Sequence, residues 1–283
     1  MNKQRITVYT PESSLINPLK MVHDMWADIV SGRGLALRLA IRDIKAQYRQ
    51  AFLGILWVLI LPLANTVAWI FLNRAGIVSV GETELPYSIY VFTGTMIWAI
   101  FMEALNAPLA QTTAAKSMLA KINFPREALI ISGILKTLFN GLIKLGLIIG
   151  VLLIFGIYPD WRLILFPCAL ISLIMAGTMI GLLITPIGLL YTDVGKGLPL
   201  VMQFLMYVTP VVFPIPTAGW PATIFELNPL TPLIMTTRDW LTGMSTEYLW
   251  PFLAVNLSFL LVLLFVSIIY RIAMPIMIER IGS

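Results

Sequence analysis

Uncharged apolar runs of about 20 residues recur along this chain, the length a helix needs to cross the hydrocarbon core of a bilayer. Five stand at Gln50–Asn73, Leu85–Met102, Leu163–Thr192, Gly197–Phe225 and Tyr248–Tyr270. A sixth, Leu145–Pro159, is shorter and follows a lysine-bearing extension. Hydrophobic residues make up 59% of the 283 and charged residues 12%, far from the globular average. The spans and their connections use up the length, leaving no room for a separate soluble domain. The expectation is an all-α membrane protein with six transmembrane helices.

The first fifty residues mix charges and prolines and lack the apolar core of a secretory signal. The first span is therefore expected to serve as its own insertion signal. Cys168 is the only cysteine and lies in an apolar run, where a small buried hydrophobe is expected. His23 is the only histidine. Charge then orients the chain. Lys3, Arg5, Lys20, Arg33, Arg38, Arg42, Lys45 and Arg49 precede the first span. Lys116, Lys121, Arg126, Lys196, Arg271 and Arg280 fall on the same side, whereas Arg74, Arg162 and Arg238 fall opposite. The positive-inside rule puts both termini in the cytoplasm.

Residues Gly34–Phe52 read as an amphipathic helix lying in the membrane surface. Leu37, Ile41, Ile44 and Tyr48 form its apolar stripe; Arg38, Arg42, Lys45 and Arg49 form its cationic one. The cations either anchor the helix to headgroups or receive an anionic, lipid-linked substrate. The first span holds Pro62 and Trp69, and a mid-span proline belongs on a protein-facing or water-facing side. In the second span Tyr87 and Tyr90 fit an interfacial aromatic belt, while Trp98 and Phe101 lie deeper. Contact with lipid and a path for carbohydrate are both open readings of these rings.

The connection Asn106–Glu127 is too polar to cross, and Pro125 followed by Glu127 is a helix-start signature. Its mixture of Phe124 with flanking charges also suits a docking knob for a soluble partner. Ser132, Lys136, Asn140 and Lys144 recur every four residues and share one stripe. Lys136 is expected to project into the cytoplasm; Lys144 either snorkels or lines a cavity. Residues 191–197 read as a short cytoplasmic turn. Gly146/Gly150 and Gly177/Gly181 permit close helix approach. Beyond Tyr207-Val208-Thr209-Pro210, the segments Pro221–Leu227 and Pro232–Leu241 are apolar yet too short to cross, which suggests re-entrant or interfacial helices at the outer face.

The missing motifs matter as much. No G-x-x-x-x-G-K-[ST] loop, H-E-x-x-H, cysteine pair or G-x-S-x-G occurs. Glu103 is the nearest candidate for an intramembrane carboxylate, and no chain of such groups accompanies it. An energy source on another polypeptide follows, and the chain itself is not expected to be an enzyme.

Together these residues resemble the permease subunit of polysaccharide-exporting ABC transporters, the class of O-antigen, capsule and teichoic acid exporters. The likeness runs from about Leu37 to the C-terminus. It rests on Arg42-Asp43-Ile44-Lys45 with Tyr48, Leu53-Gly54 with Trp57 and Pro62, Asn123-Phe124-Pro125-Arg126-Glu127, Thr192-Asp193-Val194, Tyr207-Val208-Thr209-Pro210-Val211 and Asn228-Pro229. Two departures are Thr192, where an arginine often stands in the family, and a long N-terminal arm. The resemblance implies a homodimer bound to two cytoplasmic ATPase subunits in the bacterial inner membrane. It would move an undecaprenyl-linked glycan outward, with ATP and Mg held by the ATPase and no cofactor in this chain. Nucleic acid is not implied.

By the same likeness Asn123, Phe124, Pro125, Arg126 and Glu127 would form a cytoplasmic coupling helix, and Arg38, Arg42, Lys45 and Arg49 would flank the lipid portal. Trp57, Trp69, Trp98, Phe101, Lys144 and Tyr207 are the candidates for the translocation path. Pro221, Phe225, Asn228, Pro232 and Trp240 are those for an outer gate. The expected divisions are an arm at 1–33, a permease domain at 34–271 and a tail at 272–283. Permeases for a drug or small lipid, and an ion-coupled carrier, are the alternatives.

Overall fold

The computed structural model describes residues 18–49, 52–81, 83–119 and 124–282. Among these, every extended element is helical: α1 (Pro18–Arg49), α2 (Trp57–Arg74), α3 (Tyr87–Ala114), α4 (Lys116–Leu119), α5 (Glu127–Ile154), α6 (Phe166–Leu190), α7 (Thr192–Tyr207), α8 (Trp220–Leu227), α9 (Leu230–Thr242) and α10 (Leu249–Gly282). Single 3₁₀ turns, Gly54–Leu56 and Trp161–Leu165, lead into α2 and α6. Five helical stretches are long and apolar enough to cross a membrane, built on α2, α3, α5, α6 and α10.

The centre of the bundle is α3. Its apolar residues are spread around the helix and not gathered on one face, as suits a surrounded helix, and 78% of its apolar window is enclosed, against 11% for α2 and for α10. Its closest partner is α6. A Cβ on Gly177 would stand 2.6 Å from the Phe101 carbonyl oxygen, and one on Gly181 would strike the Leu105 carbonyl. Those two glycines therefore set the approach of the helices. Gly146 and Gly150, the other expected pair, face open space.

The ends of the bundle are distinct. At the lower end α3 and α10 finish and α5 begins; at the upper end α3 and α10 begin and α8 and α9 cover the surface. Thr112 meets Tyr270 below, and Tyr90 donates to the Pro210 and Phe213 carbonyls above.

The helices run differently from the sequence pattern in several places. The arm and the amphipathic segment are one helix from Pro18, continuous across residue 33, and α10 likewise runs unbroken across residue 271. In α1 the inward face is the small one: Gly32, Ala36, Leu39 and Ala40 are buried, while Leu37 and Ile41 are exposed. Small residues let α1 lie close against α5, and the larger apolar ones are left outside. α3 continues to Ala114 through the supposed polar connection, carrying Pro108 within it. α5 is one 28-residue helix that includes the lysine-bearing extension.

Tyr191 alone makes the expected turn of residues 191–197, because α7 starts at Thr192. α7 then stops at Tyr207, far short of Phe225, since Pro210 cannot continue a helical ladder. At 16 residues it is shorter than α2, α3, α5, α6 and α10. Cys168 is exposed on the outside of α6, not buried.

Candidate functional site

At the lower end Arg38, Arg42, Lys45 and Arg49 are all exposed and rise along one side of α1. Arg42 is held by its neighbour Asp43 at 2.8 Å. Just beside them lies the segment expected to couple to a partner. Asn123 is outside the described residues. Phe124, Pro125, Arg126 and Glu127 are half-buried. Phe124 packs against the small cluster of Leu39, Ala115 and Leu129. Glu127 accepts from Arg271 Nη1 at 2.8 Å, and Arg271 Nη2 reaches Asp28 at 2.7 Å. The segment is thus braced, with its acid tied to α10 and, through Arg271, to α1.

Deeper in the bundle the polar stripe of α5 meets α3. Lys144 is 3% exposed and pairs with Glu103 at 2.7 Å. Asn140 donates to the other Glu103 oxygen and accepts from the Tyr48 hydroxyl at 2.6 Å. Burial, then the Glu103 charge, raises the Tyr48 pKa to about 12, so the phenol remains a donor at any physiological pH. A buried cation needs such a partner. Glu103, on its own a weak sequence signal, is that partner. Lys136 sits half-buried along the same 28-residue helix, one turn before Asn140.

The six candidate path residues do not form one surface. Phe101 is fully enclosed and Trp98 nearly so, their rings 5.1 Å apart in the bundle core. Trp69 is half-buried and stands edge-on to Tyr207 at 5.9 Å and to Phe213 at 5.3 Å. Trp57 is exposed on α2. Trp69 and Tyr207 are thus brought together, Lys144 is neutralised, and Trp98 with Phe101 is core.

At the upper end α9 is wedged into the bundle and α8 lies over it. Phe225, Asn228, Pro232 and Trp240 are buried, and Pro221 is half-buried. Asn228 donates to the Val208 carbonyl at 2.9 Å and the Thr209 hydroxyl at 2.8 Å, and accepts from the Leu230 amide at 2.9 Å. One amide side chain so joins the end of α7 to the start of α9. Trp240 stacks edge-on to Phe252 of α10 at 5.2 Å.

The residue that dominates this end is Arg238, which entered the sequence reading only through its charge. Arg238, 2% exposed, lies over the Tyr90 ring at 3.8 Å. Its Nη2 donates to the Pro210 and Val211 carbonyls at 2.7 and 3.2 Å, and its Nε to Thr93 at 3.3 Å. Breaking α7 at Pro210 leaves carbonyls without helical donors; the guanidinium supplies them. Tyr90, expected in an interfacial belt, is instead the platform for this cation.

Beside it Asp239 is buried, and that burial, opposed by Arg238, lifts its pKa from 3.8 to about 7. Glu84 and Glu247 push in the same direction and Arg162 against it. A carboxyl whose folded value is raised adds stability that is complete below the unfolded value and gone above the folded one. Thermal stability of the purified protein should therefore fall as pH rises from about 4 to about 7, and Asp239→Asn should flatten that slope.

A cationic lower rim, a bundle of long apolar helices and an upper end covered by α8 and α9 describe a multi-pass membrane protein. The chain belongs to the ABC-2 type transporter family, which it matches over residues 35–242. This is a family of transporter permeases, and membership implies partnership with an ATPase subunit. The O-antigen export system permease protein RfbA of Myxococcus xanthus is 24% identical over 206 residues, which cover 71% of this chain and 78% of the relative. The Klebsiella pneumoniae protein of the same name is 23% identical over 216 residues, 73% of this chain and 80% of the relative.

Proposed function

We propose that this chain is the membrane-spanning half of an ATP-driven exporter that carries a lipid-linked, O-antigen-like polysaccharide across the bacterial inner membrane. The collinear match to O-antigen export permeases over most of both chains carries the reading. In it the lower end faces the cytoplasm, as the charge bias requires. α2, α3, α5, α6, α7 and α10 make six crossings, with α7 completed by the irregular segment after Tyr207. The largely exposed apolar faces of α2 and α10 contact lipid and a second copy of the chain.

Phe124–Glu127 lies where an ATPase subunit would dock, and its attachment to α10 gives a push there a route into the bundle. The exposed cations of α1 face the headgroup layer, where a pyrophosphate-linked glycan would arrive and where each cation adds about 1 kcal/mol of attraction to anionic groups. α8 and α9 form the outer cover.

The test is reconstitution with the ATPase subunit in proteoliposomes, reading both ATP hydrolysis and glycan appearance in the opposite leaflet. Replacing both Arg42 and Arg49 with alanine should cut transport about tenfold, while hydrolysis and membrane abundance stay near wild type. Equal losses of transport and abundance would reduce these arginines to anchors. Full-rate movement without nucleotide would refute the reading as a whole.

A further inference from the structure

The upper end holds a cavity of about 230 Å³ between the start of α3, the chain after α7, and the loop joining α9 to α10. Glu84, Tyr90, Arg238, Asp239, Glu247 and Tyr248 are among the residues on its wall. Asp239 is 7% exposed, and Arg238 and Arg162 act on its carboxylate through their charge, without a side-chain hydrogen bond or close ion pair among the described residues. A largely buried carboxylate with no hydrogen-bond donor is costly and marks a place where something in the cavity can supply one.

Its neighbour has the opposite spare capacity. Arg238 Nη1 touches only the Met235 sulfur at 3.4 Å, a weak acceptor. A strong acceptor and an under-used fork of donors therefore occupy adjacent positions on one helix, against the same cavity. That pairing matches neighbouring hydroxyl groups, each of which donates and accepts. Glu84 and Glu247 add acceptors at the rim, and the half-buried Tyr248 adds a ring face and a hydroxyl. The volume lies below the ~300–1,000 Å³ of drug-sized ligand sites, so the occupant is small.

A metal ion fits less well. Among the described residues the carboxylates do not converge into a group able to hold one, and the Arg238 guanidinium repels a cation. An anion meets three acidic side chains.

We propose that this cavity is a saccharide-binding site that takes one neutral pyranose ring at the outer mouth, with Asp239 and Arg238 engaging vicinal hydroxyls. The proposal deepens the export reading and rests on it for the side of the membrane on which sugar arrives. The site would hold an emerging glycan residue against the upper surface and oppose its return.

The experiment is saturation-transfer NMR on the full chain in nanodiscs, titrated with the methyl glycosides of glucose, mannose and galactose and with N-acetylglucosamine. At least one should bind in the millimolar range. Glu247→Ala and Tyr248→Ala, both near the surface, should each weaken binding about tenfold, the size of one lost strong contact. Asp239→Ala should abolish it, and Glu226→Ala, an exposed acid outside the cavity, should change nothing. No transfer from any of the sugars overturns the proposal, as does binding that ignores all three cavity variants. Calcium binding that depends on the same residues while sugars do not bind overturns it in favour of a cation site. ATP-driven transport by vesicles whose protein binds no sugar refutes this site alone and leaves the export reading standing.

Discussion

Replacing Arg238 with methionine should lower the stability of the purified protein by about 3–5 kcal/mol, the cost of removing one partner from a buried charged network. The arginine closes a gap that the chain itself opens. Pro210 ends α7, and the Pro210 and Val211 carbonyls turn inward, where Arg238 Nη2 reaches both and the Tyr90 hydroxyl reaches Pro210 as well. Each carbonyl left bare costs about 1–3 kcal/mol. Lysine should rescue little, because a single ammonium cannot lie flat on Tyr90 while also reaching Thr93 and two carbonyls.

Gly94→Ala should produce a loss of the same order by a different route. Its Cβ would stand 2.6 Å from Arg238 Nη2 and collide with the Val211 carbonyl oxygen. Thermal unfolding in detergent, read beside the accessibility of cysteines placed on α9, checks both. A methionine variant as stable as wild type would show that the guanidinium is not what holds α9.

The second large effect lies at mid-depth. Lys144→Met leaves Glu103 charged and unpaired and should cost about 2–4 kcal/mol, somewhat under the full buried-pair penalty because Glu103 is partly open. The double variant Glu103→Gln, Lys144→Met should recover most of that loss, since neither charge then remains to be solvated. The same pair separates two roles. If Lys144 only neutralises Glu103, the double variant should still transport glycan. If Lys144 meets an anionic substrate, the double variant should fold, insert and bind the ATPase but transport less than about one-tenth of normal. A double variant no more stable than Lys144→Met would contradict the pairing itself.

What could be read from the sequence was set by length and period. Runs of about 20 apolar residues located the α2, α6 and α10 crossings, and the outer segments Pro221–Leu227 and Pro232–Leu241 match α8 and most of α9. The α5 stripe was visible because a spacing of four keeps Ser132, Asn140 and Lys144 on one buried face. Helix ends were less legible. α3 passes through Asn106 and Thr112, polar residues that look like a loop but bond back to their own helix: Asn106 to the Met102 carbonyl and Thr112 to the Pro108 carbonyl.

Partners distant in sequence were not legible at all. Nothing near Glu103 announces Lys144, 41 residues on, and nothing near Tyr90 announces Arg238. The glycine pairs make the same point. Gly146/Gly150 and Gly177/Gly181 have identical spacing, and only the second pair meets another helix. In α1 the apolar stripe leaves Leu37 and Ile41 on the outside, and it is the small Gly32, Ala36 and Ala40, which carry little hydrophobic signal, that are buried.

The Asp28–Arg271–Glu127 triad has a mechanical meaning. It fastens the first helix, the last helix and the start of α5 at a single guanidinium, so these segments share a node although they are 99 and 144 residues apart in the chain. A force applied at residues 124–127 cannot tilt α5 alone: it drags the strands of a three-legged joint together, or else tears that joint open.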